Sequence, residues 1–217
     1  MMPRMQSTPA FPAELRRSPS PAYASIYDYD PSETRLFGTE SLYGDWDSTV
    51  LLLAKDFAPD SYIQERQAKA PGTRLFSHDP TFQTNKNLVK RFRPLLPCEP
   101  LYGSALAGLL KKNGQRSGSL PDRALIEPFA IEVIRFTVSK MPNLRAIACL
   151  GADSWEFATC ALTGERNTAW SDHRRHRRCV EAEGLTLHAL LHPSRCTGGL
   201  SECVADWLAM KSLAGTF

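Results

Sequence analysis

The sequence predicts a three-layer α/β/α sandwich around a central, mainly parallel four-stranded sheet, and three observations predict it. Apolar runs of strand length recur along the chain, at 48–54 (STVLLLA), 144–150 (LRAIACL) and 185–191 (LTLHALL). Unbroken runs of this kind suit strands buried on both faces, as in parallel sheets covered by helices. Stretches with helical apolar spacing separate these runs, and that alternation marks βα units. Finally, 217 residues with 42% hydrophobic and 23% charged content fit one packed domain better than bulk disorder.

In chain order, residues 1–35 are rich in Pro and Ser, as in Ser18-Pro19-Ser20-Pro21, and read as an extended, partly packed arm ahead of the main domain at 36–217. The first strand at 48–54 follows. Helical spacing then marks 60–70 and 101–112, the second ending in the stop signal Lys111-Lys112-Asn113-Gly114. Between them, Asn87-Leu88-Val89 reads as a short second strand. A longer helix is expected over 127–141, with Pro128 in its first turn. The third strand at 144–150 leads through Gly151 into a helix over 153–162. The fourth, at 185–191, ends in His192-Pro193-Ser194, and a last helix spans 201–213.

Composition narrows the setting. No run approaches the roughly 20 apolar residues that cross a bilayer, and no signal-type apolar stretch opens the chain. A cytoplasmic, nucleoid-associated protein of bacterial type is expected, with nothing that calls for more than a monomer. The six cysteines form no CxxC pair, so free thiols are expected. Net charge is only +3, so a nucleic-acid partner has to be argued from local clusters.

In parallel α/β sheets, ligands bind outside the carboxyl ends of the strands. That rule puts Asp56, Asn87, Gly151 and His192 along one rim, since each closely follows or opens an expected strand. The segment Ala54-Lys55-Asp56-Phe57-Ala58-Pro59 follows the first strand, and Leu191-His192-Pro193-Ser194 closes the fourth. On these segments the chain resembles the uracil-DNA glycosylase superfamily: the first stands where the family has its G-Q-D-P-Y-like loop, and the second matches its late H-P-S. Between them, Asn87-Leu88-Val89-Lys90 is similar to the N-V-V-K element of the iron–sulfur branch. Glu127-Pro128-Phe129 resembles the start of the next helix, and 146–151 (AIACLG) the strand before the central one.

The resemblance implies a monofunctional hydrolase that flips uracil out of DNA and cuts its N-glycosidic bond, leaving an abasic site. Cleavage parts a sugar of oxocarbenium character from an anionic base. Asp56 would stabilise the cation and orient water. His192, as a neutral imidazole, would donate a hydrogen bond to base O2 as charge grows there. A side-chain amide carries both the donor and the acceptor that uracil's O4 and N3–H edge needs. Asn87 fits that role, with Asn85 as the alternative reader. Stacking on the extruded base is expected from Phe57, with Phe76 or Phe82 as further candidates.

The chain also departs from the family pattern. Lys55 replaces Gln, Phe57 replaces Pro, and Ala58 stands where the uracil-strict branch has the Tyr that clashes with thymine's methyl. Arg91 and Ile126 stand where two cluster cysteines would fall, so no iron–sulfur cluster and no other cofactor is expected. The stretch 90–93 (KRFR) lacks the histidine of the DNA-trapping branch.

DNA contacts are expected from Lys86, Lys90, Arg91 and Arg93, from Arg174 and Arg175 in the run 173–178 (HRRHRR), and from Ser194 and Arg195 after the histidine. Arg195, or the shorter Cys196, would fill the hole left by the base. The spacing of His173, His176 and Cys179 could suggest a metal, but the intervening arginines make cation binding poor, and none is expected. A non-catalytic binder of damaged DNA on the same fold is the alternative, prompted by Lys55 and Phe57. A phosphoester enzyme ranks below it for want of a Gly-rich phosphate loop. Lys55 is expected to point to solvent or phosphate, although a Schiff-base lyase role is conceivable.

Overall fold

A computed structural model describes residues 9–29, 45–56, 59–69, 83–87, 99–112 and 118–195, the side chains of 66, 67, 83 and 85 excepted. The elements are β1 (Tyr23–Ser25), β2 (Val50–Ala54), α1 (Asp60–Lys69), α2 (Gln83–Asn87), β3 (Leu101–Ser104), β4 (Leu109–Lys111) and α3 (Arg123–Ser139). They continue with β5 (Ala146–Leu150), α4 (Ala152–Thr163), α5 (Trp170–His176), β6 (Cys179–Ala182) and β7 (Leu185–Leu190). The central sheet has five strands in the order β3-β2-β5-β7-β6 and is flanked by helices. All neighbours are parallel except the β6–β7 pair. A separate antiparallel ribbon joins β1 to β4.

The central strands form for the reason their sequences suggest. Every residue of β2 and of β5 is buried, so no alternation of polar and apolar residues is needed. Each Leu of 51–53 contributes roughly 1.5–3 kcal/mol by leaving water. Helix α4 lies over β5 and β7, and α3 packs on α4.

Four expectations are corrected. The α/β class with a mainly parallel sheet holds, but the sheet has five strands rather than four: β3 and β6 join the expected 48–54, 144–150 and 185–191. The stretch 101–112 is not a helix but contains β3 and β4, joined by a turn. Its Leu and Ala spacing looks helical, but Gly103 and Gly108 each weaken a helix by about 1 kcal/mol. Gly108 takes φ +83, and a Cβ there would stand 3.1 Å from the Tyr27 ring. Second, Asn87 ends helix α2 rather than opening a strand, while 88–89 lie outside the described residues. Third, β6 was not expected. Its residues are only half buried, so no apolar run announces it, yet Glu183 (φ 52) and Gly184 (φ 77) form a two-residue hairpin turn into β7. Fourth, α3 begins a turn earlier than Pro128 implies, with that proline inside the helix. The expected helix over 201–213 lies outside the described residues.

The described part of the N-terminal segment alternates exposed residues with side chains that join the core. Phe11 is fully buried, stacks on Tyr27 with ring centroids 5.9 Å apart, and meets the edge of Phe136 at 5.8 Å. Tyr23 and Ile26 are also buried, and the Tyr29 hydroxyl donates to Asp60 at the start of α1. Proline content signals extended backbone, but extended backbone with aromatic side chains packs well. Phe11→Ala is therefore expected to cost about 3–5 kcal/mol in denaturant unfolding. A loss below about 0.5 kcal/mol would mean the segment is peripheral after all.

Candidate active site

Three parallel strands end on one edge of the sheet, and the chain leaves each of them carrying polar groups. β2 runs into Lys55 and Asp56, β5 into Gly151, and β7 into Leu191 and His192. These residues border one cavity of about 570 Å³, within the range of small-ligand clefts. Six residues singled out in the sequence line it: Lys55, Asp56, Gly151, His192, Ser194 and Arg195. Gly151, at φ +115, makes the sharp turn from β5 into α4, so the first turn of that helix also faces the cavity.

The turn after β7 fixes the histidine. Residues Pro193–Arg195 form a 3-10 turn in which the Ser194 backbone N–H donates to His192 Nδ1 at 3.2 Å, with the Ser194 hydroxyl 2.8 Å from the same nitrogen. A backbone N–H cannot accept, so Nδ1 is the acceptor and the ring proton of the neutral imidazole sits on Nε2. Burial pushes the imidazole down from its ordinary 6.5 to about 4; Asp56 opposes the fall, and Arg195 and Lys55 add to it. His192 is therefore a neutral hydrogen-bond donor at neutral pH.

Asp56 is held from beneath. Its Oδ2 is buried, and the Lys111 ammonium meets it at 3.0 Å as a contact ion pair rather than an aligned hydrogen bond. Lys55 Nζ lies farther away, at 3.8 Å. That ammonium does not point to solvent as expected. It pairs with Asp153 at 3.2 Å and donates to the carbonyls of Gly118 and Ser119 at 3.2 and 3.3 Å. Three acceptors around one nitrogen oppose the free amine that a Schiff base requires.

Asn87 is buried, and its Nδ2 donates to the Pro193 carbonyl at 2.7 Å, which braces the histidine turn from below. This donor is thus engaged by the protein. The side chain of Asn85 lies outside the described residues, as do Phe57, Ala58, Phe76, Phe82, Lys90, Arg91, Arg93 and Cys196. Arg174 and Arg175 lie on α5, whose first residue, Trp170, lines the cavity. The Arg174 guanidinium sits 5.5 Å from the centre of the Trp170 ring, and Arg175, Arg177 and Arg178 are exposed beyond it. His173 packs its ring on Trp155 at 4.8 Å. Among the described residues no three His, Cys, Asp or Glu side chains converge as metal ligands, and no helix is long and apolar enough to cross a membrane.

Three site residues escaped sequence reading. Lys111 was hidden by the helical reading of 101–112, and Trp170 by the absence of an apolar run around it. Asp153 was within reach of the strand-end rule, two residues past Gly151.

Compared with known proteins, the chain matches no protein-family model, and no curated protein is significantly similar to it.

Proposed function

We propose that this chain is a DNA glycosylase of the uracil-excising type. One observation carries the reading: a carboxylate, Asp56, and a neutral imidazole with its proton on Nε2, His192, border one cavity at the carboxyl ends of parallel strands. Hydrolysis of an N-glycosidic bond needs that pair. As the C1′–N1 bond of a flipped deoxyuridine lengthens, charge moves onto the base. His192 Nε2–H stabilises that charge at O2 without a proton transfer. Asp56 faces the cationic sugar, orients a water toward C1′ and takes its proton as the new C–O bond forms. The departing base anion takes up a proton from solvent.

Arg195 lines the cavity, and α5, which carries Arg174 and the exposed Arg175, starts at the cavity-lining Trp170, which supports phosphate contacts beside an extruded nucleotide. Arg175→Ala is expected to weaken duplex binding across sequences alike. It should also lower the slope of log affinity against log salt by about one. An unchanged slope would remove Arg175 from the interface.

A second reading, a binder of damaged DNA without catalysis, is favoured by the two ammonium groups beside Asp56, which mute its charge. The deciding assay offers duplexes carrying uracil, thymine mispairs, hypoxanthine and 5-substituted uracils, scored for free base and abasic strand. Uracil release supports the glycosylase. Tight, selective binding with no release over hours supports the binder, and neither outcome on any duplex sinks both.

A further inference from the structure

Lys111 ends β4, opposite Tyr23 of β1 in the ribbon and bridged to Pro59 on its other side. It is 5% exposed and does not border the cavity, so it reaches neither substrate nor DNA phosphate. Its ammonium nonetheless stands 3.0 Å from Asp56 Oδ2. Oδ2 itself is buried, while the Asp56 side chain as a whole keeps 22% of its surface exposed. The Asp56 side chain therefore meets the cavity by surface other than Oδ2.

A buried ammonium is costly to desolvate, and well-packed apolar residues often serve stability equally well. A second use for this one follows from its geometry. We infer that Lys111 is a positioning residue for Asp56: its ammonium clamps Oδ2 and fixes the direction of the carboxylate at the cavity wall, where it orients the attacking water. The inference rests on the glycosylase reading for its chemistry and on the ion pair for its geometry.

The other groups facing Asp56 do not replace this clamp. Lys55, next to it in the chain, is turned to Asp153 and two carbonyls. His192, beyond β7, is neutral. Tyr23 from β1 and Tyr102 from β3 are phenols whose ionisation Asp56 and burial both oppose, so they add no positive charge. Arg195 lines the cavity but is solvent-exposed, and Asp153 on α4 is a like charge. Lys111 is the nearest cation to Asp56 among the described residues.

The full-length chain is tested as wild type, Lys111→Met, Lys111→Arg and the double variant Lys111→Met/Asp56→Asn. The first readout is independent of activity: thermal unfolding of these chains and of Asp56→Asn, which closes a double-variant cycle on the pair. The loss in the double variant is expected to fall short of the sum of the two single losses, and Lys111→Arg should unfold near wild type. The second readout is steady-state uracil release from a uracil-bearing oligonucleotide. In Lys111→Met kcat should fall about tenfold or more with KM little changed, and Lys111→Arg should keep most of the rate.

Single losses that simply add in the cycle overturn the inference, whether or not the chain releases uracil, and so does a folded Lys111→Met with the wild-type kcat. Coupled losses in a chain that releases no base uphold the clamp and sink the glycosylase reading alone. If Lys111→Met fails to fold, Lys111→Gln, which keeps length and polarity, is read in its place by the same criteria.

Discussion

Asp56→Asn is expected to slow uracil release from DNA by about a hundredfold or more while leaving duplex binding largely intact. The amide has nearly the shape of the carboxylate, so the cavity wall is preserved. What disappears is the negative charge beside the cationic sugar and the ability to take a proton from water. A complication comes from beneath: Lys111, 3.0 Å from Oδ2, is left buried beside a neutral group. Breaking one half of a buried pair destabilises by about 3–5 kcal/mol, and lost folding could imitate lost catalysis. The double variant Lys111→Met/Asp56→Asn separates the two. It removes both charges, so its unfolding midpoint should recover toward wild type while its rate stays low. Single-turnover release of uracil, with thermal unfolding on the same samples, checks both. A rate that recovers with stability would mean that Asp56 acts only through the fold.

The parts of the molecule legible in the sequence were those whose signal is local. β2 and β5 are buried on both faces, so their strand character is written in consecutive apolar residues, and the strand-end rule then put Asp56, Gly151 and His192 on one edge. The illegible parts depend on partners distant in sequence. β3 and β4 look helical until Gly108 meets Tyr27, some eighty residues earlier in the chain. β6 is half exposed and owes its strand state to pairing with β7. Phe11 lies in a proline-rich stretch whose composition says nothing of the aromatic pocket that takes it up.

The same division explains the site. The two groups proposed to do the chemistry are local features of strand ends, whereas the groups that set their state arrive from elsewhere. Lys111 comes from the β1–β4 ribbon, and Asn87, which braces the His192 turn through Pro193, comes from α2. The N-terminal segment therefore bears on the site as well as on the core. Strand β1 pairs with the strand that carries Lys111, and Tyr23 sits opposite that lysine in the register.

His192→Ala is expected to lower base release by about a hundredfold or more, and the pH dependence of the wild type tells which kind of help the imidazole gives. With its ionisation pushed down to about 4, His192 is neutral throughout the physiological range. If it acts as a neutral donor, the rate of the wild type should show no histidine step between pH 5 and 8. A general acid would instead require the imidazolium, and the rate would fall as pH rises through roughly 6–7. The same shift is visible in stability. His188, buried within β7, is also pushed down by burial to about 4 from 6.5. In both cases the unfolded chain binds the proton first, so between about pH 6.5 and 4 the unfolded state holds more protons than the native one. Stability is thus at its full value above pH 6.5 and is eroded as pH falls toward 4, by up to about 3 kcal/mol per imidazole. His192→Ala should remove its share of that acid sensitivity and leave the share due to His188. Thermal unfolding measured from pH 4 to 8 on wild type and variant reads the difference. A variant whose midpoint falls with acid as steeply as the wild type would show that His192 is not a buried neutral base, and the donor role would fall with it.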